Sequence, residues 1–184
     1  MMMKEYLNII YDLYPKDIYP SDLNYPYTPE NIKQWGLIEE ERKSNEYFED
    51  MVTMLAKFLN CENHQDCSLR GVFDLSRKAI LYLPKNSKTI DYPCCVINIS
   101  IVSKYYCVYF SKGTGFPINT LKQGPNETQK LFEENISRII KTHYSGYIPF
   151  PMESFNERVP HVYSAVNHDQ YATYFECLMT TDLF

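Results

Sequence analysis

What the 184-residue chain lacks narrows its function first. No apolar run reaches the ~20 residues that a membrane-spanning helix needs. The N-terminus, MMMKEYLNII, has no apolar signal core followed by a small-residue cleavage site, so the expected location is the cytoplasm. Six cysteines are too sparse to staple a chain of this length. Cys94 and Cys95 are adjacent and point to opposite faces of a strand, which suits reduced thiols better than a bridge. The sequons at Asn98, Asn126 and Asn135 carry little weight without secretion. Gly113-Thr-Gly115 has neither the third glycine nor the Gly-Lys-Ser/Thr ending of a phosphate loop, and it reads as a simple turn. Lys104–Phe110 interleaves aromatic residues as an RNA-binding strand does, but without that motif's glycines. Internal repeats, a second-domain boundary and a recognisable catalytic motif are lacking too.

What is present fits one globular domain. Apolar residues make up 45% of the chain, and a chain of this size can bury roughly 70% of its unfolded surface. The net charge is −5, unevenly placed. Residues 1–50 hold 5 Lys+Arg against 11 Asp+Glu, a net −6, and the remainder is close to neutral. An acidic segment disfavours nucleic acid, whose binding depends on phosphate neutralisation, and favours a basic partner.

The longest apolar run, Cys94–Phe110, reads as two strands joined at Ser103-Lys104. Alternation places Cys95, Ile97, Ile99 and Ile101 on one face. A two-residue turn would pair Ile101 with Tyr106, Ile99 with Val108 and Ile97 with Phe110. That face is the expected core. The opposite face, with Asn98, Ser100, Cys107, Tyr105 and Tyr109, is expected to be half-buried.

Residues 2–14 carry a helical stripe of Tyr6, Ile9, Ile10, Leu13 and Tyr14, which Pro15 ends. A proline- and tyrosine-rich segment follows. Thr28 is placed to cap a short helix with Pro29 at its first position, and Gly36 is expected to end it. The helix opened by Ser44 buries Tyr47, Phe48, Met51, Val52, Leu55, Phe58 and Leu59. Leu69–Leu75 and Lys78–Leu83 read as strands. Asn126 caps a second long helix, ETQKLFEENISRIIKTH, with Phe132, Ile136, Ile139 and Ile140 inward and Lys141 and His143 near its C-terminus. Val159–Val166 and Tyr171–Met179 read as a final pair of strands. The order predicts a single α+β domain over 1–184, with a mainly antiparallel sheet and helices packed on one face. Residues 1–43 form an acidic segment packed on it.

Two constellations could carry chemistry. Cys61, His64 and Cys67 supply three ligands where a structural zinc needs four, so no metal and no cofactor is expected. A four-residue turn in the last hairpin would bring His161, Tyr163, Tyr174 and Glu176 onto one face. His beside a carboxylate is a general acid/base arrangement, and equally an ordinary cross-strand pair.

The C-terminal stretch GYIPFPMESFNERVPHVYSAVNHDQYATYFECLMTTDLF resembles the ends of small immunity proteins from bacterial polymorphic-toxin and contact-dependent-inhibition systems. Gly146-Tyr147, the strand entry Val159-Pro160 and Ala172–Leu178 carry the resemblance, which covers about a fifth of the chain. It implies a non-enzymatic inhibitor that binds one cognate toxin tightly in the producing cell; the lack of a long apolar run and the acidic charge separately predict no membrane and no nucleic-acid partner. A basic, nuclease-like toxin is the partner that suits the acidic segment. The rivals are a small enzyme using His161 and Glu176 and a general interaction module. The expected binding surface is centred on Asp17, Tyr19, Asp22, Tyr25, Tyr27, Trp35, Glu39, Glu40 and Glu41. The competing reading packs these tyrosines onto the protein's own core. The hairpin residues His161, Tyr163, Tyr174 and Glu176 form the second candidate surface.

Overall fold

A computed structural model describes residues 5–44, 46–69, 74–84, 94–111, 127–167 and 169–179, and of 111 and 127–131 the backbone alone. In chain order come α1 (Leu7–Leu13), a 3-10 turn at Tyr25–Tyr27, α2 (Pro29–Glu41) and α3 (Glu46–Phe58). Strands β1 (Asn63–Asp66), β2 (Ser76–Tyr82), β3 (Cys94–Ser100) and β4 (Tyr105–Ser111) follow. Then come α4 (Glu127–His143), β5 (Ile148–Pro149), a 3-10 turn at Met152–Ser154, β6 (Arg158–Tyr163), β7 (Tyr171–Thr173) and α5 (Tyr174–Leu178). Strands β1 to β5 form one sheet in sequence order, antiparallel except for the parallel β4–β5 pair, and β6–β7 form a small second sheet. This is the expected α+β fold with a mainly antiparallel sheet.

The helices divide between the two faces of the large sheet, where the sequence placed them on one. On one side Phe48, Met51, Val52 and Leu55 of α3 and Ile136 and Ile140 of α4 close over Ala79, Leu81, Cys95, Ile97 and Ile99. On the other side Ile10, Leu13 and Tyr14 of α1, Ile38 of α2, and Phe175 and Leu178 of α5 close over Ile80, Val96, Tyr105, Cys107 and Tyr109. The face expected to be half-buried is therefore core as well. Its polar side chains misdirect the reading because they are buried too: the Ser100 hydroxyl donates to the Leu178 carbonyl and accepts the Ser103 N–H at 3.0 Å, while the Asn98 amide is enclosed with no hydrogen-bond partner. Residues of α1 and α2, Ile10, Leu13 and Ile38, belong to this core cluster.

Strands β3 and β4 pair as foreseen but two residues out of the expected register. Ile99 faces Tyr106, Ile97 faces Val108 and Cys95 faces Phe110. A slip of two preserves every face; a slip of one would have reversed them. The connection is longer than a two-residue turn. Ile101 leaves the strand, donates its N–H to the Leu75 carbonyl at 3.0 Å and packs against the α1 side instead.

Further differences have local causes. The edge partner of β2 is the polar stretch Asn63–Asp66 and not a strand at Leu69–Leu75, of which residues 70–73 lie outside the described residues. Thr28 caps α2 by accepting the Asn31 N–H at 3.3 Å, but the helix runs through Gly36 to Glu41. The Ile38 and Glu41 turns beyond the glycine are held by Ile38 packing in the core and by Arg77 gripping Glu41, which outweighs the backbone entropy cost of glycine. A Cβ built at Gly36 meets nothing within 4 Å. Gly36→Ala is expected to raise stability by about 0.5–1 kcal/mol, read from the denaturation midpoint. A loss would mean that the bare backbone there is in contact.

The predicted strand Tyr171–Met179 is a three-residue strand followed by α5. The Thr173 side chain accepts the Glu176 N–H at 3.1 Å while the Glu176 carboxylate takes the Thr173 N–H. This reciprocal cap starts a helix where apolar composition alone read as a strand. Gly113-Thr-Gly115 and the Asn126 cap lie outside the described residues, while α4 itself occupies Glu127–His143 as expected.

Candidate partner-binding surface

The two surfaces proposed from the sequence meet. In the loop after α1, Asp17 adopts φ 56°, and in β6 His161 adopts φ 65°. Neither residue is glycine, and such a conformation costs of order 1–3 kcal/mol unless its surroundings hold it. Here each holds the other. The Asp17 N–H donates to the His161 carbonyl at 2.8 Å, and Asp17 Oδ1 lies 3.0 Å from His161 Nδ1. The kink at His161 falls within the irregular stretch of the β6–β7 ladder between Arg158 and Tyr163, where β6 carries three residues more than β7, and unpaired residues of this kind bend a strand.

The clasp aligns a row of aromatic rings. Tyr19 stacks on Tyr163 at 3.9 Å between centroids and 20° between planes. Tyr163 lies 5.2 Å from Tyr171, and Tyr171 lies 6.1 Å from the His161 ring. A hydrogen bond with Tyr19, then burial, pushes the Tyr163 hydroxyl up to about 12. Tyr19 remains 43% and Tyr171 37% exposed, so the rings form an outward platform and not a core. Arg158 donates to the Tyr171 carbonyl and to Gln170 Oε1, fixing the end of the hairpin. Lys16 lies over the Tyr11 ring at 3.8 Å on the same loop.

The remaining candidates separate into surface and interior. Asp22 is exposed and accepts the Asn24 N–H at 2.8 Å. Tyr27, Trp35, Glu39 and Glu40 are exposed as expected, and Glu39 pairs with Arg42 at 2.6 Å. Four residues are corrected. Tyr25 is buried, and burial raises its hydroxyl well above the ordinary range. Tyr174 is buried in the core beside Phe175. Glu41 is committed to Arg77 Nε at 3.0 Å. Glu176 is buried as the cap of α5, and its Oε1 accepts the Ser164 hydroxyl at 2.7 Å. The structure divides these tyrosines: Tyr25 and Tyr174 belong to the core, and Tyr19 and Tyr27 are exposed.

The His161–Glu176 pair does not form. Tyr163, not Val166, faces Tyr171, so the connection is three residues longer than expected, and His161 meets Asp17 while Glu176 goes into the helix cap. The general acid/base arrangement drawn from the hairpin thereby loses its geometry. Cys61, His64 and Cys67 also stay apart in role. Cys67 is buried, its N–H bonds the Lys78 carbonyl at 2.7 Å, and His64 is exposed on β1. Among the described residues no group of three His, Cys, Asp or Glu could hold a metal ion. Burial pushes the Cys61 thiol up to about 11 and the Cys107 thiol up to about 12.

Sequence reasoning missed Tyr171 as a surface residue and the link between Asp17 and His161. These two residues are 144 positions apart, and no local pattern joins them. No protein-family model matches the chain, and neither a curated protein nor a solved structure matches it significantly. No helix among the described residues is long and apolar enough to cross a membrane.

Proposed function

We propose that this chain is an immunity-type inhibitor that binds and neutralises a cognate protein toxin. The observation that carries this reading is the outward platform Tyr19, Tyr163, Tyr171 and His161, locked by Asp17. Tyrosines are enriched among residues that dominate binding energy. Rings already held in place lose little freedom on binding, which is where association spends much of its free energy. The platform draws on both the acidic N-terminal segment and the C-terminal stretch that resembles immunity proteins. Glu39 and Glu40, with Asp22, extend the acidic surface and favour a basic partner by raising its encounter rate.

The test is to look for a toxin gene beside the gene for this chain and to measure binding of its purified product. Tyr19→Ala and Tyr171→Ala are each expected to weaken the complex by about 30-fold, as loss of an anchor worth about 2 kcal/mol does. Glu39→Gln with Glu40→Gln is expected to slow association at low salt, with the difference shrinking as salt rises. Glu41 is left in place because it holds Arg77. Tight binding that is unmoved by either tyrosine change would remove the platform as the interface. No complex at all would remove the inhibitor reading.

A further inference from the structure

Strands β2, β3 and β4 carry a row of three buried residues across the middle of the large sheet. Lys78 faces Asn98, and Asn98 faces Cys107. Residues directly opposite share one side of a sheet. This side lies under α1, α2 and α5, because Cys107 belongs to the core that those helices close. Val96 and Ser100 stand beside Asn98 along β3 on the same side. An asparagine amide offers two donor hydrogens and an accepting oxygen. In Asn98, which is wholly buried, neither the nitrogen nor the oxygen has a hydrogen-bond partner. Asn31 and Gln34 also bury an unmet amide oxygen, but their nitrogens still donate, to the Pro26 and Leu13 carbonyls. Among the described residues Asn98 is the one side chain with both ends unmet.

We propose that the Asn98 amide binds an internal water molecule between β3 and the helices above it. A buried amide without partners is costly, and internal waters sit where they join such groups, with about three hydrogen bonds each. Water suits this amide because it both donates and accepts. An ion of either sign would bring a charge into the core, which costs far more than the amide does. An apolar molecule would leave both ends of the amide unmet. Ser100 does not serve it. Its hydrogen goes to the Leu178 carbonyl, and its oxygen takes the Val102 and Ser103 N–H groups. Cys107 supplies the second contact, since the Cβ atoms of opposite residues stand about 4.5–5.5 Å apart. Burial, with Glu133 nearby, pushes its thiol up to about 12. The sulfur therefore keeps its hydrogen and offers a weak donor. The inhibitor reading plays no part in this inference, and either can fail alone.

The experiment pairs a crystal structure of the full chain with a water-selective NMR spectrum of the same protein. One enclosed density peak is expected about 2.7–3.2 Å from the Asn98 amide. In solution the Asn98 side-chain NH2 hydrogens are expected to show a cross-peak to water, with the sign of a long-lived molecule. Asn98→Leu keeps the size and removes the amide, so it is expected to lose both signals. Unchanged backbone shifts away from the row verify that this variant folds; if it does not fold, the wild-type protein decides alone. An amide with no density beside it would overturn the proposal, as would one bonded directly to another side chain. A peak in the crystal without the cross-peak in solution, or one that persists in Asn98→Leu, would overturn it too.

Discussion

Arg77→Met is expected to cost about 3–5 kcal/mol of folding stability, the loss typical of breaking a buried ion pair by removing one partner. Arg77 sits in β2 with its side chain only 4% exposed. Its guanidinium donates to Glu41 Oε1 at 3.0 Å, to the Glu41 carbonyl, and to the Ser44 carbonyl at 2.8 Å. These carbonyls lie at and just beyond the C-terminal end of α2, where backbone acceptors have no intrahelical donors left. One side chain therefore ties the end of α2 and the turn into α3 to the middle of the sheet. Methionine fills similar volume but donates nothing, so the Ser44 carbonyl and the Glu41 carboxylate lose this donor, while the Glu41 carbonyl keeps the Ser44 N–H at 3.1 Å. Glu41→Gln separates the charge from the hydrogen bonds. The amide oxygen can still accept from Nε, and Glu41 is 32% exposed, so a loss of only about 1 kcal/mol is expected. Denaturant unfolding of both variants checks this. A loss below about 1 kcal/mol for Arg77→Met would mean that the α2–α3 turn is held by something else.

Ile99→Ala is expected to cost about 2–5 kcal/mol, from lost transfer free energy and the cavity left behind. Ile99 is buried in β3, opposite Arg77 on one side and Tyr106 on the other, in the core under α3 and α4. Neighbours on both strands and above the sheet leave little room to collapse into the space. Ile101→Ala is the internal control. The sequence put Ile101 on the same face, but it is half-buried in the loop on the opposite side of the sheet, so its loss is expected to be distinctly smaller. Equal losses at the two positions would restore the two-residue turn and the register drawn from it.

What could be read from the residues follows from how strongly each element is patterned. Helix α4 was delimited at Glu127–His143 because a long apolar stripe and favourable charges at its end agree. Thr28 followed by Pro29 marked the start of α2 for the same reason. Strand β1, Asn-His-Gln-Asp, has no apolar alternation because it is an exposed edge, and so it could not be seen. The buried Asn98 and Ser100 make one face of the sheet read as partly wet. In the last segment a usable signal was present: Thr173-Tyr-Phe-Glu176 has the spacing of a capping box, and weighing it above apolar content would have found α5 and removed the His161–Glu176 pair. The meeting of Asp17 with His161 had no sequence signal, since it depends on how the N-terminal loop crosses the final hairpin.

The most direct test of the inhibitor reading is survival. Where a toxin gene neighbours the gene for this chain, cells expressing that toxin are plated with and without the chain, alongside the Tyr19→Ala and Tyr171→Ala double variant made at the same level. Protection by the wild-type chain, lost in a double variant that unfolds at the same denaturant concentration, is the expected result. No protection by a well-folded wild-type chain would contradict the reading.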